Sequence, residues 1–214
     1  MLEFQHAYRR HLPHIQPPGA IFFVTYRLAG SLPTAIQEQL LAEAYASTRR
    51  LNRISDPQER SQQAYVAQKR QFAQWDKALD MTTDGFHWLR QPEIAQIVIN
   101  SLHDLDGKRY QLESYSLMSN HVHVVFRPQQ KEDGTYHSLS AIMHAHKRYT
   151  AWQANQVLGR QGQFWQHESY DHIIRDEAEM HRIQRYVLDN PVKAGLVEHW
   201  KQWPWSFCRS SLQT

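Results

Sequence analysis

The stretch Ser119-Asn120-His121-Val122-His123-Val124-Val125-Phe126 decides the fold. Its β-branched and aromatic residues predict a strand. Side chains on a strand alternate faces, so His121 and His123 share one face while Val122, Val124 and Phe126 share the other. One side of the sheet is then a core surface, and the other presents two adjacent imidazoles. Two such imidazoles make half of a metal site.

Just upstream, Arg109–Met118 reads as a second strand, with Ser119-Asn120 as a tight turn or bulge between the two. Before it, Pro92 opens a helix to about Leu105, with Ile94, Ile97, Val98 and Leu102 as its apolar stripe. Ile21–Leu28 is a strong first strand, broken by Gly30-Ser31-Leu32-Pro33. It follows a basic arm with His6, Arg9, Arg10, His11 and His14 that closes in Pro17-Pro18-Gly19. Thr34 to about Arg53 has helical spacing, and a polar, Gln-rich helix follows from Pro57 to about Leu79. The pair reads as a solvated helical insertion, or as a phosphate path lined by Arg49, Arg50, Arg53 and Arg60.

Downstream, Ser138 caps a helix running to about Leu158. Tyr170–Ile174 is a short strand. Asp176, with Glu179 three residues on, starts a last helix that runs to about Asp189 and stops before Pro191. A tail with Trp200, Trp203 and Trp205 packs back on the core. The order predicts an α+β fold, a ferredoxin-like sandwich with one antiparallel sheet and helices on one face. Residues 1–214 form a single domain, with 34–90 as a helical insertion after the first strand and 199–214 as a C-terminal tail.

The composition fits this size of domain. Hydrophobic residues make up 41% of the 214, with seven Trp, ten Tyr and eight Phe, enough for a sizeable core. No apolar run approaches the ~20 residues of a membrane span, and no signal pattern opens the chain, so a cytoplasmic protein without a membrane partner is expected. Cys208 is the single cysteine, which excludes a disulfide framework and a cysteine metal cluster. A net charge of +3 is compatible with a nucleic-acid partner without demonstrating one.

The last helix offers the other half of the site. Tyr186 and Asn190 are four residues apart and share a helix face. Asn190 brings a carboxamide oxygen as a third ligand beside His121 and His123, and Tyr186 brings a hydroxyl. A divalent metal there would polarise a phosphoryl oxygen, and Tyr186 would attack phosphorus to give a covalent phosphotyrosine. That bond retains the energy of the phosphodiester, so a strand can be cut and rejoined without ATP.

Asn120-His121-Val122-His123 resembles the HUH signature (His, hydrophobic, His). Phe164-Trp165-Gln166, Tyr170 to Asp176, Arg185-Tyr186-Val187-Leu188-Asp189-Asn190-Pro191-Val192-Lys193-Ala194-Gly195-Leu196-Val197 and Trp203-Pro204-Trp205-Ser206 resemble the REP-associated tyrosine transposases, of the single-tyrosine HUH transposase superfamily. The resemblance runs from His11-Leu12-Pro13 and Phe22–Leu28 to Ser206, with residues 45–85 uninformative. His-x-His alone is a weak motif. Joined to Tyr-x-x-x-Asn-Pro-Val-Lys-x-Gly it is a strong one.

The resemblance implies a ferredoxin-like HUH endonuclease domain acting on single-stranded DNA. The DNA would be a hairpin from a repetitive extragenic palindrome (REP), and the reaction would be metal-dependent cleavage and strand transfer through a 5′-phosphotyrosine. Mg²⁺ or Mn²⁺ is the implied cofactor, although ligand softness alone would also suit Zn²⁺. A cytoplasmic, nucleoid-associated bacterial protein acting as monomer or homodimer follows. Two departures stand out. Ser119 replaces the proline that often precedes the Asn-His pair, and Asn190 stands where insertion-sequence relatives carry glutamine.

Rival readings stay open on the residues alone. Tyr149, after Lys147-Arg148, and Tyr170 compete with Tyr186 as nucleophile. Asn190 is a ligand or simply the residue that ends its helix before proline. His172 is a support for the site or a packing residue, and Lys147, Arg148 and Arg175 are candidate DNA contacts. A domesticated hairpin-binding protein without cleavage activity, or a hydrolysing phosphodiesterase, would use parts of the same set.

Overall fold

The computed structural model describes residue 17 and residues 19–209. The basic arm with His6, Arg9, Arg10, His11 and His14 lies outside the described residues. Two compact units are present. One is Leu32–Gly85, and the other joins residues 17–31 to residues 86–209.

The larger unit contains β1 (Ile21–Arg27), α3 (Pro92–Leu105), β2 (Tyr110–Leu117), β3 (His121–Pro128), α4 (Leu139–Val157), β4 (Tyr170–Ile174), α5 (Glu177–Lys193) and β5 (Ser206–Cys208). α1 (Thr34–Leu51) and α2 (Pro57–Met81) belong to the smaller one. The strands form one antiparallel sheet in the order β4-β1-β3-β2-β5. Its first four members have the βαββαβ arrangement of a ferredoxin-like fold, as the sequence predicts.

The hairpin β2–β3 turns on Ser119-Asn120, closed by the Met118 N–H donating to the His121 carbonyl at 2.9 Å. Register follows from the hydrophobic alternation, because a one-residue slip would turn the valines to the wrong side. Thr25 pairs with His123 and Arg27 with His121 across β1 and β3, and Ser116 of β2 flanks His123 on the other side.

Phe22, Val24 and Tyr26 of β1 and Val122, Val124 and Phe126 of β3 face one way. They meet Ile94, Val98 and Leu102 of α3 and Ile142 of α4 in the main core. Full burial of each such side chain is worth about 1.5–3 kcal/mol. The imidazole face lies opposite, and there α5 packs over β2, β3 and β5. Helices therefore cover both faces rather than one. α3 and α4 already occupy the valine face, and Phe23 and Ile174 on the second face are buried together with Val187 and Leu188 of α5.

α5 also corrects the sequence reading at its end. It continues through Pro191 to Lys193. A proline in the last turn forfeits one intrahelical bond, and both Asn190 and Pro191 are buried. The helix stops at Gly195, whose φ of +68° is the left-handed turn glycine accepts without cost. There the Gly195 N–H donates to the Val192 carbonyl and the Leu196 N–H to the Pro191 carbonyl, each at 2.9 Å, a Schellman ending. Asn190 is thus not the residue that terminates its helix.

The start of α5 matches expectation, with the Asp176 carboxylate accepting from the Glu179 N–H at 2.7 Å. Ser138 likewise caps α4, accepting from the Ala141 N–H. The tail holds a strand that the sequence reading missed. β5 pairs with β2, but its three residues are too few for alternation to register. The Trp203 indole donates to the Leu117 carbonyl at 3.0 Å, and Trp205 and Phe207 pack on the core.

In the smaller unit α1 and α2 form a helical hairpin. Leu32, Leu40 and Leu79 are its buried centre, with Ile36, Trp75 and Ala78 against them. Asp56 caps α2 by accepting from the Glu59 N–H at 2.6 Å, with Pro57 in the first turn. Arg49, Arg50, Arg53 and Arg60 are all exposed around the connection between the two helices. Among the described residues no helix is long and apolar enough to cross a membrane.

Candidate active site

β3 places His121 and His123 on the face beneath α5, both fully buried. Their Nε2 atoms face each other at 3.0 Å. The other ring nitrogens are engaged: His121 Nδ1 with Asn120 Oδ1 at 2.7 Å and His123 Nδ1 with Thr25 Oγ1 at 2.7 Å. Two nitrogens each about 2.1 Å from one ion can lie about 3.0 Å apart, so the spacing allows both to bind a single cation.

Tyr186 comes from α5 and is half-buried. Its ring stands edge-on to His123, with centroids 5.6 Å apart, and against Phe23 at 6.1 Å. Lys193, two turns further along α5, holds its Nζ 4.7 Å from the centre of the Tyr186 ring. A cation above a phenol favours negative charge building on that ring.

Asn190 lies one turn beyond Tyr186 and is 1% exposed. Its amide donates to the Tyr186 carbonyl at 2.8 Å, while Oδ1 is buried with no hydrogen-bond partner among the described residues. A buried acceptor without a partner costs about 1–3 kcal/mol, so such an atom calls for an explanation. A cation is one ligand that would satisfy it. The donor set of two imidazoles and a carboxamide oxygen suits a divalent ion.

Of the rival tyrosines, Tyr170 shares the imidazole face and packs on Phe23, with ring centroids 6.0 Å apart, but stands one strand further out. Tyr170 is paired to Thr25, and Thr25 to His123, which puts Tyr170 two strand spacings, about 9.6 Å, from the histidine strand. Tyr149 is exposed on α4, which packs on the valine face.

His172 is buried and meets Glu179 of α5, Nε2 to Oε1 at 3.1 Å. The second Glu179 oxygen accepts from the Arg175 N–H at 3.1 Å. His172 thereby fastens β4 to the first turn of the helix that carries Tyr186. Lys147 directs its ammonium to the Gln166 and His167 carbonyls and to Ser169 Oγ, at 3.0, 3.3 and 2.7 Å, and so braces a loop. Arg148 and Arg175 have exposed side chains.

Sequence reasoning missed three neighbours. Arg27, paired with His121 and 8% exposed, donates from Nη1 to Ser31 Oγ at 3.1 Å. Burial draws its guanidinium down to about 10, with Glu168 opposing, so it remains a cation at neutral pH. Its even spacing from Phe23 and Thr25 along β1, which puts all three on one face, was the available signal. Thr25 is visible only through strand pairing. Lys193 stands in the quoted Asn-Pro-Val-Lys stretch, seven residues from Tyr186, a spacing of two helical turns.

Three comparisons with known proteins find similarities. Residues 89–190 match the family described as "Transposase IS200 like". A curated Haemophilus influenzae protein, provisionally named a REP-associated tyrosine transposase, is 26% identical over 95 residues, covering 42% of this chain and 54% of that protein. The chain thus matches about half the length of that relative. A solved structure of a REP-associated tyrosine transposase bound to a REP hairpin aligns over 94% of this chain and 81% of its own, at 16% identity and a TM-score of 0.48. His121, His123, Tyr186 and Asn190 all lie inside the span that matches the IS200-like transposase family, and the chain is similar over part of its length to a REP-associated tyrosine transposase.

Proposed function

We propose that this chain cuts and rejoins single-stranded DNA at palindromic hairpins of the REP type, with Tyr186 as nucleophile. The observation that carries the reading is the Tyr186 ring packed against His123, whose Nε2 faces that of His121 at 3.0 Å. Binding alone requires neither the imidazole pair nor a phenol placed beside it, which disfavours a domesticated hairpin-binding protein.

His121, His123 and the Asn190 oxygen would hold a divalent cation, Mg²⁺ or Mn²⁺. When bound, it would supply Lewis-acid stabilisation to the phosphoryl oxygens. The chain's own residues do the rest. The Tyr186 oxygen forms a bond to phosphorus while the bond from phosphorus to the 3′ oxygen breaks. The phenol proton is lost, and the departing strand end takes up a proton as its 3′-hydroxyl. Lys193 supports charge on the phenol, and Arg27 adds a fixed cation on the same sheet face. The 5′-phosphotyrosine then receives a second 3′-hydroxyl, which releases Tyr186 and joins the strands. Arg148 and Arg175 serve as backbone phosphate contacts. His172 positions α5 through Glu179.

The test is a labelled hairpin oligonucleotide with a single-stranded flank, incubated with protein and Mn²⁺. The expected result is a protein–DNA adduct that survives a denaturing gel and is absent from Tyr186→Phe. Cleavage with a hydrolysed product and no adduct would favour a phosphodiesterase. Hairpin binding without cleavage would favour the domesticated binder.

A further inference from the structure

The charges of the α1–α2 pair are sorted along its length. The Gln74 amide donates to the Glu43 carboxylate at 2.7 Å, which sets residue 43 opposite residue 74. Residues 47–70 are then the outer half, and residues 34–46 with 71–84 are the half next to the points where the chain enters and leaves. The outer half has six cations, Arg49, Arg50, Arg53, Arg60, Lys69 and Arg70, against Asp56 and Glu59, a net +4. The inner half reverses this, with Lys77 against Glu38, Glu43, Asp76, Asp80 and Asp84, a net −4. α1 has 18 residues and α2 has 25. At ~1.5 Å per residue the centres of the two halves stand roughly 15 Å apart, beyond the ~8 Å screening length of physiological salt. The inner carboxylates therefore do not neutralise the outer cations.

Folding does not account for the outer cations. A helix C-terminus favours positive charge, which covers Arg49 and Arg50 in the last turn of α1. Arg60 stands in the first turns of α2, the end where the dipole disfavours a cation, and Lys69 and Arg70 lie in mid-helix. All six are exposed. Asp56 is committed to the cap of α2, where it accepts from the Glu59 N–H at 2.6 Å. Crowding like charges on one end of a solvated helix pair is mildly destabilising, so the arrangement points to a ligand of opposite sign.

We propose that this outer half binds the sugar-phosphate backbone of duplex DNA, the paired stem of the hairpin substrate. A duplex carries one negative charge per ~1.7 Å of its axis, the densest line of phosphate that the substrate offers. Guanidinium forks match phosphate oxygens, and four of the five outer arginines cluster around the α1–α2 connection. Single strands are held instead by bases stacked on open aromatic faces. Here Lys69 Nζ lies 4.4 Å from the centre of the Tyr65 ring and Arg49 Cζ 6.0 Å from that of Tyr45, so one face of each ring is taken. Backbone contacts supply affinity and orientation without reading base sequence. The acidic inner half repels the same polyanion and confines contact to the outer end. The inference rests on the reading of a DNA hairpin as substrate.

The experiment uses the full chain and fluorescence anisotropy with two labelled oligonucleotides, a hairpin with a long paired stem and a single-stranded flank, and that flank alone. Affinities are measured from about 50 to 200 mM salt, where each phosphate contact on a duplex adds about 0.9 to the slope of log affinity against log salt. Arg49→Gln, Arg50→Gln, Arg53→Gln and Arg60→Gln combined should lower that slope by about 2 to 4 and weaken the stemmed hairpin about 10-fold or more. Binding of the flank alone should stay within about 2-fold of wild type. Lysine at the same four positions should restore the slope. Lys69→Gln with Arg70→Gln, a second and smaller variant, should lower it by about 1 to 2. The melting temperature of both glutamine variants should equal or exceed that of wild type, because repulsion is relieved. Slope and affinity unchanged on the stemmed hairpin would overturn this inference alone. Equal weakening on the flank would overturn the assignment to duplex, and a lower melting temperature would assign the arginines to the fold instead. Failure of the wild type to bind the stemmed DNA would overturn the hairpin reading itself.

Discussion

The Tyr186 ring meets the His123 imidazole edge to face, with centroids 5.6 Å apart at an interplanar angle of 72°. One residue belongs to a helix and the other to a central strand. Their contact places a phenol beside the pair of strand histidines. Arg27 pairs with His121 across the sheet, and Lys193 holds its ammonium 4.7 Å from the centre of the Tyr186 ring.

Tyr186→Phe should abolish the covalent adduct while leaving hairpin affinity within about 2-fold, because the lost hydroxyl is a reacting group rather than a major contact. Denaturing gels and mobility shifts measure the two quantities separately. Tyr149→Phe and Tyr170→Phe should retain the adduct. Its loss in either, with Tyr186→Phe still active, would reassign the nucleophile.

Removing the metal should stop cleavage and leave the fold. Chelation by EDTA is expected to eliminate adduct formation, with recovery on adding Mn²⁺. Mn²⁺ at about 100 times its dissociation constant should stabilise the protein by ~2.7 kcal/mol. His121→Ala should lose that stabilisation, seen as a flat melting temperature across an Mn²⁺ titration.

Asn190 separates a ligand role from a structural one. Asn190→Leu removes a buried oxygen that has no hydrogen-bond partner among the described residues, together with one amide bond to the Tyr186 carbonyl. These effects oppose each other, so chemical denaturation should show a stability change within about 1 kcal/mol. Mn²⁺ affinity should fall at least 10-fold. Unchanged affinity would remove Asn190 from the ligand set.

His146 makes the fold acid-sensitive. Its nitrogens are hydrogen-bonded to Tyr26 Oη at 2.7 Å and Ser101 Oγ at 2.9 Å. Burial, and then the Lys147 cation, lower its pKa to about 3. The folded state therefore holds it neutral while the unfolded chain takes up a proton below the ordinary value of about 6.5. Its contribution is complete above that value and declines as pH falls toward 3, by about 2 kcal/mol between neutral pH and pH 5. Urea midpoints at the two pH values should show the drop in wild type and a smaller one in His146→Gln.

Gly195→Ala tests the ending of α5. A Cβ there meets nothing within 4 Å, so its cost is the backbone at φ +68° alone. A loss of about 1 kcal/mol by urea unfolding is expected. The adduct should form more slowly, because Lys193 sits two residues before the turn.

Local pattern carried much of this fold. The alternation from His121 to Phe126 was enough to assign the strand, its core side and the shared face of the imidazoles, because a two-residue period has only one consistent burial. Ser138 and Asp176 announced their helices by the side-chain chemistry of capping. Where the pattern was short or contradicted, the reading failed. Three residues of β5 carry no usable period. Pro191 is a strong local stop that burial of Asn190 and Pro191 overrides, leaving Gly195 to end the helix.

The sequence by itself determined the placement of the candidate residues along their elements: two histidines of fixed parity on a strand, and a tyrosine and an asparagine one helical turn apart. Only the tertiary structure decided how they meet. α5 settled on the imidazole face because α3 and α4 filled the valine face, and that choice put Tyr186 against His123 and Lys193 above its ring. The hydrogen bonds from Thr25 and Asn120 that orient the imidazoles also belong to tertiary structure, since strand register and turn geometry bring together atoms that no periodicity relates.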